Sequence, residues 1–221
     1  MRNLDNIEIV SVNCVNPEES VKALLYSTRD ITFKAVKLIA HYKPDNLPTN
    51  IEFIQIPKQT HSSMNAFHIY ELPKYIEADY MLSIHDDGFI TNPHLWRQEF
   101  LDYDYIGAPW PNEAPWSQIN RVGNGGFVLK SKKFLNLEQT LPYTNANNDV
   151  LVTNTYYDYF KQNGCKYAPV EVAMKFSLEG QISECEYNLD NVFGFHGRGD
   201  SWIFKGQGQQ FKDKISLLNK I

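Results

Sequence analysis

Short apolar runs alternate with amphipathic ones over the first 84 residues, and this constrains the fold more than any other feature. Ile7 to Val12, Thr32 to Ala40, Ile51 to Ile56 and Tyr80 to Ile84 have the length and the β-branched or aromatic content of strands. After the first run, Asn16-Pro17-Glu18-Glu19 reads as a helix start: Asn as N-cap, Pro at the first helical position, acids in the first turn. That helix is expected to reach about Arg29. Ser62 or Ser63 can cap a second one, from Met64 to Ile76. Strands separated by helices form a mostly parallel, twisted sheet with helices on both faces. The expected class is therefore α/β, with a Rossmann-like N-terminal half. Such sheets bind ligands at the carboxyl ends of their strands, which draws attention to the residues just after Val12 and Ile84.

The second half changes character. Asp104 to Gly126 is rich in Gly, Pro, Trp and Asn, with Tyr105-Ile106-Gly107-Ala108-Pro109-Trp110-Pro111 followed by Gly123-Asn124-Gly125-Gly126. A strand, Phe127 to Lys130, and a helix from Asn148 to Asn163, stopped by Gly164, are expected next. No flexible linker separates the halves, so residues 1–221 are expected to form one domain, with 1–103 and 104–221 as its two parts. The net charge of −5 argues against a nucleic-acid partner held through phosphates. Cys14, Cys165 and Cys185 are odd in number and match no metal-site spacing, which suits reduced thiols and a cytoplasmic location. No secretion signal and no transmembrane run is visible. The segment Gln209 to Ile221 sets Lys212, Lys214 and Lys220 against Phe211, Ile215, Leu217 and Leu218. Helical spacing allows it to pack on its own domain or to touch a membrane surface.

Four motifs could carry chemistry. His85-Asp86-Asp87-Gly88 follows the strand Tyr80 to Ile84 directly. Adjacent carboxylates at such a strand end suit a divalent cation, Mg²⁺ or Mn²⁺, with phosphate oxygens completing the shell. A solvated Asp-Gly turn is the plainer reading. Three glycines within Gly123 to Gly126 let backbone approach a ligand closely, or make a simple hairpin; the pattern is neither a P-loop nor a dinucleotide fingerprint. Asp149, at a helix start, is either a first-turn acid or a general base for an acceptor hydroxyl. His196, in Gly194-Phe195-His196-Gly197, is either a structural histidine or a metal ligand through a neutral imidazole.

Taken together, Asp104-Tyr105-Ile106-Gly107-Ala108-Pro109-Trp110, Val122-Gly123-Asn124-Gly125-Gly126-Phe127 and Gly194-Phe195-His196-Gly197 resemble the DUF5672 group of GT-A-type glycosyltransferase-like proteins. The resemblance spans roughly Tyr80 to Gly197. It implies a metal-dependent glycosyltransferase that takes a nucleotide-sugar donor and a carbohydrate or glycan acceptor, with residues 1–103 holding the donor and 104–221 the acceptor and catalytic groups. It places the metal on Asp87 and His196. It assigns donor contacts to Val12, Asn13, Asp86, Asp87, Gly125 and Gly126. Asp149 becomes the base of an inverting displacement. His85 stands where GT-A enzymes usually carry the first acid of their motif, which leaves that contact open. Trp110, Trp116 and Tyr105 are expected to stack on the acceptor, because sugar rings present apolar C–H faces. A sugar nucleotidyltransferase and a non-catalytic carbohydrate- or nucleotide-binding protein are the alternatives.

Overall fold

In the computed structural model, which describes residues 1–221, the alternation becomes a six-stranded sheet. Strands β1 (Arg2–Asn13), β2 (Ile31–Ala40), β3 (Glu52–Gln55) and β4 (Tyr80–Ile84) run parallel. β5 (Tyr105–Ile106) and β6 (Phe127–Ser131) extend the sheet, β6 lying antiparallel to both β4 and β5. The order is β3-β2-β1-β4-β6-β5. β1 is buried on both faces: Ile7 and Ile9 pack with Leu24 and Phe33, whereas Val10 and Val12 pack with Phe67 and Met81. Two-sided burial explains why these strands read as continuous apolar runs.

Helix α1 (Pro17–Thr28) begins at the expected proline. Helix α2 (His61–Tyr70) is capped by Thr60, not by Ser62 or Ser63: the Ser63 N–H donates to the Thr60 hydroxyl oxygen, and the Thr60 N–H donates to the Ser63 hydroxyl oxygen. α2 also stops at Tyr70, six residues short of Ile76. Pro73 has no amide hydrogen to continue the ladder, and the chain passes into a 3₁₀ turn at Leu72–Tyr75. α3 (Lys132–Glu138) follows β6.

The helix expected over Asn148 to Asn163 is three pieces: α4 (Asn148–Val150), a π-helical turn at Leu151–Thr155, and α5 (Tyr157–Gln162). The Tyr156 N–H reaches back five residues to the Leu151 carbonyl at 2.9 Å. Single π turns of this kind concentrate at functional sites. Gly164 ends the segment at φ +74°, as a C′ glycine should. α6 (Val170–Phe176) leads into a two-stranded parallel pair, β7 (Ser177–Leu178) and β8 (Gly194–Phe195). In α7 (Gly208–Ser216), Phe211 is fully buried against Phe195 and Phe204, so the apolar face of the C-terminal segment packs on its own domain. No helix is long and apolar enough to cross a membrane.

Candidate active site

The chain reverses as soon as β4 ends. The His85 N–H donates to the Gly88 carbonyl at 2.9 Å and the Gly88 N–H to the His85 carbonyl at 3.2 Å, leaving Asp86 and Asp87 at the tip of a tight turn. The Gly197 N–H donates to the Asp87 carbonyl at 2.7 Å and fastens this turn to the chain just past β8, beside His196. Gly88 and Gly126 make that approach possible. A Cβ on Gly126 would lie 2.0 Å from His196 Nε2, and one on Gly88 would lie 2.8 Å from the same ring.

His85, Asp87 and His196 each turn one ligand atom into a common space, all within 4.8 Å of one another. His196 Nε2 stands 3.6 Å from Asp87 Oδ1. On its other side, His196 Nδ1 is 3.0 Å from Glu179 Oε1 and 2.9 Å from Asn124 Nδ2. Glu179 Oε2 accepts the Trp110 indole N–H at 2.9 Å. Arg198 lies across the turn, 2.6 Å from Asp86 and 3.3 Å from Asp87.

Burial, with the neighbouring His196 adding to it, holds His85 down to about 4, so its ring is neutral and its lone pair free at physiological pH. For His196 burial also disfavours charge, but the hydrogen bond to Glu179 and the charges of Glu179, Asp87 and Asp149 outweigh it and raise the ring to about 9. Without a metal, the imidazolium is itself the cation that balances these carboxylates. Two imidazoles and a carboxylate, one imidazole already backed by a second carboxylate, fit the donor set of a divalent transition metal.

A cavity of about 850 Å³ opens beside this group at the ends of β1 and β4. Val12, Asn13, Asp86, Gly125, Gly126, Asp149 and His196 all reach its wall, and Asp87 sits behind it against His196. Asn13 shapes the loop that follows β1: its side-chain oxygen accepts the Val15 and Asn16 N–H groups at 2.8 and 2.9 Å. Asp149 Oδ1 accepts the Val150 N–H at 2.7 Å, and burial raises its pKa. A side chain on Gly125 would press on Asp149 at 3.1 Å.

The aromatic expectations need correction. Tyr105 is fully buried and donates its hydroxyl to the Gly123 carbonyl at 2.6 Å, so it supports the glycine loop and presents no face to a ligand. Trp110 is 3% exposed, with its ring packed on Gly123. Neither can stack on an acceptor in this arrangement. Trp116 stays half-buried, edge-on to Trp110 and Trp202, outside the cavity wall.

Four residues escaped the sequence reading. In the sequence His85 reads as a departure from an acidic motif, although a histidine at a strand end is a donor in its own right. Arg198 lies two residues past His196 and carried that proximity as its only signal. Asn124 sat inside a noted motif, masked by its glycines. Nothing in the sequence marks Glu179.

The sheet order, the antiparallel β6 and the site at the strand ends define a GT-A glycosyltransferase fold. The structure is similar to that of the galactosyltransferase LgtC in complex with donor and acceptor sugar analogues, with a TM-score of 0.53 at 12% identity over 97% of both chains. An active-site mutant of LgtC gives 0.50 at 13% identity over 93% of this chain and 94% of that one. At such identities the likeness is one of fold. By sequence, the chain belongs to the DUF5672 family, described as a protein of unknown function, whose model matches residues 45–196. Among curated proteins no sequence matches it.

Proposed function

We propose that this protein is a divalent-metal-dependent glycosyltransferase that moves a sugar from a nucleotide-sugar donor to an acceptor hydroxyl with inversion. The observation that carries this reading is a single cavity walled by His85, His196 and Asp149, with Asp87 against His196. A metal held by His85, Asp87 and His196 would supply positive charge to the diphosphate as it leaves. Two nitrogen donors beside one carboxylate favour Mn²⁺ over Mg²⁺.

The chain's own groups divide the remaining work. Arg198 is the one Lys or Arg side chain in the cavity wall, and it would follow the charge that grows on the diphosphate. The ends of β1 and β4, with Val12, Asn13 and Asp86, would hold the nucleotide. Gly125 and Gly126 leave room beside Asp149 for the transferred sugar. Asp149, made more basic by burial, would take the proton of the acceptor hydroxyl. A single displacement with Asp149 as base inverts the anomeric carbon. Of the aromatic residues expected at the acceptor, Trp116 alone keeps an exposed face.

The test is thermal unfolding with UDP, GDP, dTDP or CMP, each with and without Mn²⁺. A ligand that binds only the folded state raises the melting temperature by mass action. The expected result is a rise that needs both one nucleotide and Mn²⁺, and that disappears in a folded Asp87→Ala variant. No rise with any pair would replace transfer with a binding role, and a normal rise in Asp87→Ala would remove Asp87 from the metal.

A further inference from the structure

The surroundings of His196 contain a conflict that a hydrogen-bond count exposes. Its Nδ1 faces two partners of opposite kind, the Glu179 carboxylate at 3.0 Å and the Asn124 amide nitrogen at 2.9 Å. The carboxylate requires a proton on Nδ1, whereas the amide N–H requires a lone pair there. Turning the Asn124 amide over does not resolve this, because its oxygen already accepts the Gly126 and Phe127 N–H groups at 3.0 and 3.2 Å. Glu179 is equally fixed, since its other oxygen accepts the Trp110 indole N–H. A neutral ring can therefore satisfy one partner only. The choice decides the far side of the ring, where Nε2 faces Asp87.

We propose that Glu179 is the positioning residue that keeps the proton of His196 on Nδ1, so that the Nε2 lone pair points at Asp87 and His85, while Asn124 offers the competing arrangement with the proton on Nε2. This rests on the reading of His196 as a metal ligand for its purpose, but not for its measurement. The Glu179 carboxylate prevails because it is a charged acceptor at hydrogen-bond distance, 3.0 Å from Nδ1, whereas the Asp87 carboxylate stands 3.6 Å from Nε2, too far to make a comparable bond. Trp110 thus acts from the glycine- and tryptophan-rich loop on the metal group through Glu179, which gives the buried indole a role that stacking does not.

Two readouts on folded protein test this. In metal-free protein, at a pH above the point where the ring gives up its second proton, long-range ¹H–¹⁵N correlation spectra report the neutral tautomer. The wild type is expected to carry the proton on Nδ1, and Glu179→Gln to shift toward the Nε2 form. Mn²⁺ titration should show Glu179→Gln weakened by roughly 10–100-fold, the usual cost of losing the carboxylate behind a ligating histidine. Trp110→Phe should move both readouts in the same direction by less, and Glu179→Asp should restore part of the loss. A wild-type ring protonated on Nε2 would overturn the proposal. So would Glu179→Gln with unchanged tautomer and unchanged Mn²⁺ affinity. If the wild type binds no Mn²⁺, the metal reading fails while the tautomer spectra still decide the role of Glu179.

Discussion

In the first 84 residues the backbone satisfies itself through parallel ladders, and the buried charged pair runs from strand to strand, with Lys37 Nζ 3.0 Å from Glu8. In residues 85–206 the strands shrink to between two and five residues, and side chains take over the pairing of backbone groups. Asn92 donates to the Leu189 and Val192 carbonyls, Asn124 accepts two loop N–H groups, and Asn154 accepts the Ile119 and Asn120 N–H groups. The regular half supplies an edge of fixed height at the strand ends. The irregular half brings residues 85–88, 124–126, 149, 179 and 196 to one point, because loops are free of the two-residue period of a strand. Damage to the two halves should therefore be told apart: lesions in the first cost stability, and lesions in the second cost binding and turnover.

The largest expected effect lies in the irregular half. Asp149→Asn keeps the oxygen that accepts the Val150 N–H but loses the carboxylate proposed as the base. Turnover should fall by about 10²–10⁴-fold, with donor binding and melting temperature close to wild type. Steady-state kinetics and thermal unfolding on one preparation check this. Full activity would remove Asp149 as the base, and a product of retained anomeric configuration, read by NMR, would do the same for single displacement.

The regular half should answer in the opposite way. Glu8→Ala strands the ammonium of Lys37, which is 5% exposed and keeps only the Tyr75 carbonyl at 2.6 Å and the exposed Glu52 carboxylate at 4.0 Å. Breaking a buried pair by removing one member costs about 3–5 kcal/mol. Urea unfolding should show that loss, while the molecules still folded bind Mn²⁺ and nucleotide as before. A parallel fall in Mn²⁺ affinity would erase the separation between the halves.

The same contrast explains what the sequence could tell. Strand β4 is legible to the residue, because a short run that is apolar except at Ser83, followed by His-Asp-Asp-Gly, marks both its body and its end. α1 was legible from Pro17 and its acids. Where side chains replace backbone pairing, legibility fades. The run after Asn147 reads as one helix, since no glycine or proline announces the π turn or the break at Tyr156. For Tyr105 and Trp110, residue type alone suggests sugar stacking. Their polar atoms find a carbonyl and a carboxylate, respectively, and so both can be buried without an unmet hydrogen bond. Asp87, Gly126 and His196 were legible as a pattern. Glu179 was not, because the indole and imidazole that give it meaning lie 69 and 17 residues away.

A smaller effect tests the packing that the irregular half depends on. Gly126→Ala places a carbon 2.0 Å from His196 Nε2, well inside contact distance, so the ring must move. Overpacking of this kind costs about 1–3 kcal/mol in stability. The binding consequence should exceed the stability one, with Mn²⁺-dependent stabilisation lost from a protein that still folds. Retained Mn²⁺ binding would show that His196 is not a ligand, and would leave the glycine a packing residue only.

The smallest effect sits on the seam. His68 belongs to α2 in the regular half but faces His85 across 6.3 Å between ring centroids. Burial, helped by His85 and Lys130, depresses its pKa from the ordinary 6.5 to about 3. A histidine with a depressed folded pKa stays neutral in the fold and takes up a proton on unfolding. Its share of the stability is therefore present above 6.5 and is lost as the pH falls from there toward about 3. For one such group the slope cannot exceed about 1.4 kcal/mol per pH unit. His68→Gln should flatten the acid limb by up to that amount and leave alkaline stability nearly unchanged, as read from urea unfolding at a series of pH values. His85, depressed for the same reason, should keep a residual slope in the variant. An unaltered acid limb would mean that His68 is protonated or solvated in the native state, and that the seam carries its charge elsewhere.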